Sequence, residues 1–331
     1  MLNIVFFGTP EFAKEFLKVL LKDKESGNYS NHPQPLLRKG GGAEICIKAV
    51  VCQPDKPVGR KKMITAPEVK VFALENNIPV LQPTNFKNQS IVDELKDLEP
   101  DLFVIVAYGK LIPQSILNIP KLGCVNVHPS LLPKYRGPSP IQSAILNQET
   151  ESGVSIMLID DKMDHGPILS QEIIKIDERE TPESLRQKII NLGGPQLIKT
   201  IKAYVQGSIE PQEQDHEQAT FCKILTREDG RINWQHSAKA IDAQIRALTP
   251  WPGTHTIWKR GEKEQTLKIH KAQISTRDIE PGKAEIEGKQ LFIGTKTTAL
   301  QILELQLEGS TVANAEAFIL GHRDIDSVIL V

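Results

Sequence analysis

Five apolar runs, Leu2–Phe7, Ile45–Cys52, Val80-Leu81, Leu102–Ala107 and Cys124–His128, leave this chain few folds to choose from. They are short, the first four lack polar alternation, and all are separated by turns and stretches of helical period. Strands without alternation are covered on both faces, and the intervening helices supply the cover. The expectation is a Rossmann-like α/β fold with a mostly parallel sheet. The first junction is the plainest: Thr9 as N-cap, Pro10 at the first helical position and Glu11 in the first turn start a helix running to about Leu21. Gly8 stands alone there, without the glycine spacing of a dinucleotide-binding turn, and Gln53 rather than an acid follows the second strand. A dehydrogenase reading suffers on both counts.

The rest of the chain sorts by period. Helices are expected from Pro67 to about Asn76, near Gln89–Leu98 and at Pro140–Asn147. Two alternating segments, Gly153–Ile159 and Ile168–Ile176, read as an antiparallel extension of the sheet. Helical patterns at Pro182–Leu192 and Pro195–Val205 then close a first domain over residues 1–206. Residues 24–42 interrupt it with turn composition and read as a surface insertion. Residues 207–219, acidic and proline-bearing, read as a linker. Beyond Thr220 a helix at Ser237–Leu248 is followed by short alternating strands at about His255–Lys259, Leu267–Ile274, Lys283–Glu287, Gln290–Gly294 and Thr298–Leu307. Residues 220–331 are therefore expected to form a small β-barrel of oligonucleotide-binding (OB-like) type.

Composition narrows the function classes. A chain of 331 residues holds roughly two domains of about 150. Forty Lys and Arg against 41 Asp and Glu leave a formal charge of −1, which argues against gripping nucleic acid with the whole surface. Four scattered cysteines and no CxxC pair exclude a disulfide framework and point to a reducing compartment. No signal sequence, membrane span or zinc-type Cys/His spacing is read, so a cytoplasmic, metal-free protein, monomeric by default, is expected.

The chemistry concentrates in Gly123-Cys-Val-Asn126-Val-His128-Pro-Ser130-Leu131-Leu132-Pro133-Lys-Tyr-Arg136-Gly137. Asn126 and His128 are i and i+2 on a strand, so both side chains leave the same face, at the carboxyl end where open α/β sheets carry their sites. An amide donor and a titratable imidazole aimed at one point suit acyl transfer, with its oxyanion and its proton traffic. Asp164, in Lys162-Met163-Asp164-His165-Gly166-Pro167, could fold back to orient the ring. The plainer readings are a structural histidine, a turn aspartate and, for His165, an exposed loop residue.

These residues resemble the folate-dependent formyltransferases: Asn-x-His-Pro-Ser-Leu-Leu-Pro-x-x-Arg-Gly with Asp164-His-Gly-Pro downstream is similar to that family's signature. The opening Phe-Phe-Gly-Thr-Pro-Glu-Phe-Ala, the run Gln53-Pro-Asp-Lys-Pro-Val-Gly-Arg60 and the C-terminal Arg246-Ala-Leu-Thr-Pro-Trp-Pro252 resemble its tRNA-acting branch. The resemblance implies catalytic roles for Asn126, His128 and Asp164, and folate contacts from Ser130, Leu131, Leu132 and Pro133. It also implies 10-formyltetrahydrofolate as donor and the amino group of methionine on initiator tRNA as acceptor. Alternatives are formyltransferases acting on glycinamide ribonucleotide or amino-sugar nucleotides, the hydrolytic deformylase, and a non-catalytic RNA-binding module.

For tRNA, the loop Gln53–Ala66 brings Lys56, Arg60, Lys61 and Lys62 against one Asp55. Such a run is ordinarily a solvated face, but placed cations can hold phosphates. The resemblance implies that this loop inserts at the acceptor stem and that Arg60 matters most there. The C-terminal region is nearly charge-balanced, and Arg231, Lys239, Arg246, Lys259, Arg260 and Lys268 could share a face. Trp234 and Trp251 are expected to be packing anchors. Neutrality then suggests contact through a few cations and a modest salt dependence.

Overall fold

The computed structural model describes residues 1–25, 44–59 and 62–331. All but the first two residues of the 24–42 insertion, together with Arg60 and Lys61, lie outside the described residues. The described residues gather in two compact units that do not follow chain order. The first comprises Met1–Arg136, Gly153–Ile174 and Arg186–Phe221, the second Gly137–Ser152, Lys175–Leu185 and Cys222–Val331.

The first unit is built on a seven-stranded sheet. In chain order its elements begin β1 (Leu2–Gly8), α1 (Glu11–Glu25), β2 (Ile45–Val51), the hairpin β3 (Lys56–Val58) and β4 (Met63–Thr65), α2 (Glu68–Glu75) and β5 (Val80–Leu81). They continue with α3 (Gln89–Asp97), β6 (Leu102–Val106), α4 (Gln114–Leu117) and β7 (Cys124–His128). After α5 (Pro140–Leu146), whose residues belong to the second unit, come β8 (Glu151–Leu158), β9 (Ile168–Lys175) and α6 (Pro182–Val205). The sheet order is β5-β2-β1-β6-β7-β8-β9. Strands β1, β2, β5, β6 and β7 run parallel and β8 turns antiparallel on β7, as expected, although β8 is buried along Ser152–Met157 rather than alternating. Ile4, Val5, Phe6 and Phe7 are all fully buried, the signature of a strand covered on both faces. Phe7 packs on Phe103 at 4.8 Å and edge-on to Tyr108 at 5.6 Å, which anchors the carboxyl ends of β1 and β6 to each other.

Two expectations need correction here. The helical patterns on either side of Pro195 are one helix, α6, with the proline inside it. A proline removes one helical hydrogen bond, but close packing compensates. Any side chain at the two preceding glycines would crowd its neighbours: a Cβ on Gly193 would lie 3.1 Å from Val154 Cγ2, and one on Gly194 3.0 Å from Val19 Cγ2. The loop Gln53–Ala66 contains the hairpin β3–β4, with Lys56 opposite Thr65 and Val58 opposite Met63. Its strands are wholly exposed, so no buried face left an apolar period to read.

The second unit contains α7 (Ala238–Leu248), a curled half-barrel sheet and α8 (Ala315–Gly321). The sheet comprises β10 (Thr254–Arg260), β11 (Lys263–Ile274), β12 (Ala284–Glu287), β13 (Gln290–Gly294), β14 (Ala299–Leu307) and β15 (Ala313–Asn314). Its antiparallel order is β10-β11-β14-β13-β12, with β15 on β14. Trp258, Ile241, Ile245, Leu300 and Ile302 fill its core. The segment Lys175–Leu185 is tied to α7 through charge: buried Asp242 accepts from Arg179 at 2.7 Å and from Arg246 at 2.8 Å, and Arg246 also donates to the Glu180 carbonyl at 2.7 Å. Arg246 is thus an internal strut rather than a surface cation. Arg260 is likewise engaged, paired with Asp324 at 2.7 Å and lying over the Trp258 ring. Trp234 is the anchor expected of it, donating to Thr256 at 3.0 Å, whereas Trp251 is 58% exposed on the turn between α7 and β10, outside the core faces of both.

Burial pushes the Cys52 thiol up to about 11 and the Cys124 thiol up to about 12. The thiolate is the reactive form, so these two cysteines should resist iodoacetamide at pH 8 in the native protein and react once urea unfolds it, as read by mass spectrometry. Rapid native alkylation of either would contradict its buried placement.

Candidate active site

The carboxyl ends of β6 and β7 open into a cavity of about 350 Å³. Its walls come from Ile105 and Lys110–Leu117 after β6, Asn126 on β7, and Met157 with Ile159–Asp164 after β8. This is where a parallel sheet concentrates strand ends and loops. The lining is mainly apolar, with carboxylates, two amides and two ammonium groups among it, a composition suited to a flat ligand with a polar edge.

The three expected catalytic side chains come together. Asn126 lies in register between Ile105 of β6 and Met157 of β8, and no hydrogen bond joins its side-chain amide to another described residue. His128, opposite Ser155, is 4% exposed. Its Nε2 lies 2.9 Å from the Tyr135 carbonyl oxygen, which can only accept, so Nε2 carries a proton. The other ring nitrogen, Nδ1, lies 3.6 Å from Asp164 Oδ1. The exchangeable site of this imidazole is thereby directed at the carboxylate.

Asp164 is delivered by a constrained loop. Its φ of +50° is in the left-handed region that non-glycine residues adopt rarely, Asp more readily than most. Asp160 organises the loop from its start, accepting from Lys162 N at 2.9 Å through one carboxylate oxygen and meeting His165 Nδ1 at 2.6 Å through the other. His165, expected to be an exposed loop residue, is therefore held in place, its ring stacked on His216 at 3.9 Å. Gly166 closes the loop against β8: a Cβ there would lie 2.1 Å from the Leu158 carbonyl oxygen.

Ser130, Leu131, Leu132 and Pro133 are placed otherwise than Asn126 and Asp164. They do not line this cavity. Ser130 is fully buried, its hydroxyl donating to Lys134 O at 2.6 Å, and Leu132 N donates to Ser155 Oγ at 3.0 Å. The loop's polar groups are thus used to hold it over β8. The cavity's apolar residues Leu111, Ile112, Leu117, Met157 and Ile159 were passed over in the sequence because apolar side chains after a strand read as core. The signal that could have found them is position, immediately beyond the ends of β6 and β8.

Lys56 opens the exposed hairpin and Lys62 lies just before its second strand, with Lys56 Nζ bonded to Gln53 Oε1 and Lys62 at a φ of +49°. The hairpin's root is fixed. Gln53 Nε2 and the Thr9 hydroxyl both donate to the Tyr108 carbonyl at 2.9 Å, and Asp55 binds Lys70 at 2.9 Å. The Gln82 amide, with the Lys70 ammonium, holds the Asp55 carboxyl below the usual carboxylate range. Val58, Met63 and Ile64 project outward beside the cations. Among the described residues no group of three or more His, Cys, Asp or Glu could hold a metal ion, and no helix is long and apolar enough to cross a membrane.

Comparison with known proteins agrees in kind. The profile described as formyl transferase matches residues 3–201, and that of the formyl transferase C-terminal domain matches residues 224–323. The methionyl-tRNA formyltransferase of Thermodesulfovibrio yellowstonii is 39% identical over 321 residues, 97% of this chain and 96% of that protein. That of Caldanaerobacter subterraneus subsp. tengcongensis is 38% identical over 332 residues, covering 99% and 100%. Among solved structures, the N-formyltransferase of Helicobacter canadensis in complex with folinic acid and dTDP-3-aminofucose shares the fold. Its TM-score is 0.63 at 22% identity, over 91% of this chain and 98% of that one.

Replacing Gly166 by Ala should push the loop off Leu158 and displace Asp164. Turnover is expected to fall by roughly 10- to 100-fold, with a much smaller change in thermal midpoint. Wild-type turnover in this variant would show that the loop's closure on β8 does not set the carboxylate's position.

Proposed function

The chain belongs to the formyl transferase family, and on that premise we propose that it carries the formyl group of 10-formyltetrahydrofolate to the amino group of methionine on initiator tRNA. The observation that carries the residue-level reading is the convergence of Asn126, His128 and Asp164, with Asn126 and Asp164 lining one cavity and His128 Nδ1 3.6 Å from Asp164. The cavity's volume and apolar walls suit a pterin ring, and the Asp160 and Asp161 carboxylates suit its N–H edge. Ser130–Pro133, which resemble the family's folate-contacting loop, are proposed to shape the approach to this cavity from the adjoining strand ends.

The reaction asks three things of the protein. As the methionyl nitrogen attacks the formyl carbon, negative charge builds on the formyl oxygen, and the Asn126 amide, otherwise uncommitted, donates to it. Asp164 takes the proton that the attacking nitrogen must lose. His128, fixed by Tyr135 with its Nδ1 toward Asp164, supports that carboxylate and, when protonated at Nδ1, adds a second donor near the oxygen. The same proton is returned to the departing folate nitrogen, so the protein ends the cycle unchanged. No step needs a metal.

For the acceptor, the proposed contacts are the hairpin cations Lys56, Arg60, Lys61 and Lys62, with the C-terminal domain at 220–331 as the tRNA-binding part. A rigid root and exposed strands let the hairpin reach away from the sheet without disturbing it. Translation starts in the cytoplasm, which is therefore the proposed location.

Asn126→Ala, His128→Ala and Asp164→Asn should each lower turnover by about 100-fold or more while donor binding is roughly kept. The assay is formylation of charged initiator tRNA, run beside glycinamide ribonucleotide and an amino-sugar nucleotide. Faster use of either small acceptor would replace the tRNA reading. Arg60→Ala should raise the tRNA KM about tenfold or more with little effect on folate binding. The affinity for tRNA should fall only modestly with salt; a slope signalling eight or more released ions would contradict contact through a few cations.

A further inference from the structure

By composition, residues 207–219 are a connector, yet from Gln212 to Thr220 the chain is bonded to both loops of the candidate site. Gln212 exchanges two backbone hydrogen bonds with Ile168, at 2.7 and 2.8 Å. Two residues on, Gln214 is 5% exposed and its side chain is fully engaged. Its amide nitrogen donates to the carbonyl oxygens of Asp164 at 3.0 Å and Gly166 at 2.7 Å. Its amide oxygen accepts from Arg136 Nε at 3.1 Å and Nη2 at 2.6 Å. Arg136 Nη2 also donates to His216 Nδ1 at 2.9 Å, and the His216 ring is the one stacked on His165. Thr220 then closes on the other loop: its hydroxyl accepts from Tyr135 N and its carbonyl from Arg136 N, both at 2.8 Å.

The two attachments meet opposite members of the site. Gln214 holds the backbone on either side of His165, including that of Asp164 itself, while Thr220 holds the residue whose carbonyl receives the His128 proton. A left-handed backbone at a non-glycine residue is kept where its surroundings over-determine it, and the Gln214 amide holds the carbonyl of that residue, Asp164, together with the carbonyl two residues on. We propose that Gln212–Thr220 is a positioning strap, with Gln214 as its central positioning residue, which sets the separation between Asp164 and His128. The proposal rests on the formyl-transfer reading of that pair and adds to it residues outside the signature.

The test uses the full chain with Gln214→Leu and Gln214→Glu. Leucine removes every hydrogen bond of the side chain. Glutamate keeps the shape and the Arg136 contact but cannot donate to the two carbonyls, and it decides the question should the leucine variant fail to fold. Both should lower kcat by roughly 10- to 100-fold, with KM for donor and tRNA within about threefold of wild type. In an Asp164→Asn background the same substitutions should cost less than about twofold more, because a residue acting through Asp164 has nothing left to position. If Asp164→Asn is impaired but both Gln214 variants turn over within about twofold of wild type, the strap is overturned and the catalytic reading stands. Full additivity of the Gln214 and Asp164 effects likewise overturns it, as the mark of a structural role alone. Wild-type turnover in Asp164→Asn overturns the catalytic reading, and the strap with it.

Discussion

The imidazole of His128 is caught between a group that can only accept a proton and one that can exchange it, and the organisation of the site follows from that. The Tyr135 carbonyl occupies Nε2, which leaves Nδ1 as the nitrogen facing Asp164. For this to matter, the carboxylate must come to the ring from another part of the chain, and at 3.6 Å small displacements decide whether it does. The sheet provides the fixed side. β7 lies between β6 and β8, so the strand carrying Asn126 and His128 is hydrogen-bonded along both edges. The loop carrying Asp164 provides the adjustable side, restrained by Asp160, by Gly166 against Leu158 and by the proposed strap.

Charge is used in this protein mainly in place. Asp55 with Lys70 roots the hairpin, Asp160 with His165 shapes the Asp164 loop, and Asp242 with Arg179 and Arg246 binds α7 to the segment ahead of α6. Such pairs contribute little net attraction to a distant polyanion, because each cation is neutralised by the acid it holds. A total charge of −1 is therefore compatible with a nucleic-acid substrate when a few cations are displayed on a separate element. On the proposed reading that element is the hairpin, where Lys56 and Lys62 stand beside outward apolar side chains.

The parallel sheet was legible because burial on both faces favours largely apolar strands: β6 is uninterrupted, and β1 and β2 carry one polar residue each, Asn3 and Lys48. The antiparallel turn at β8 was expected from an alternation that the strand does not keep, since Ser152–Met157 are all buried. Asn126 and His128 could be paired from strand period, and Asp164 could be named as a candidate carboxylate from its loop position; the catalytic role of all three was what the family resemblance implied. What escaped was whatever has no period. The β3–β4 hairpin has no buried face, and α6 runs through Pro195 because two glycines admit close neighbours that no local pattern reports. Trp251 faces outward although its residue type favours burial.

The sequence by itself therefore determined the strands and helices of the sheet and named the candidate reactive groups, since these depend on local periodicity and on chemistry each residue carries wherever it lies. The first helix nevertheless starts at Glu11, one residue later than expected, with the Thr9 hydroxyl bonded to the Tyr108 carbonyl instead of capping it. Only the tertiary structure decided how those groups meet. Which nitrogen of His128 faces the carboxylate depends on a carbonyl seven residues on, and the reach of Asp164 depends on loop closure. The role of the stretch 207–219 depends on hydrogen bonds to residues some 50 to 80 positions away, to Gly166, Asp164 and Arg136. Contacts of that separation leave no trace in composition or period, because their energy belongs to pairs of residues rather than to either one.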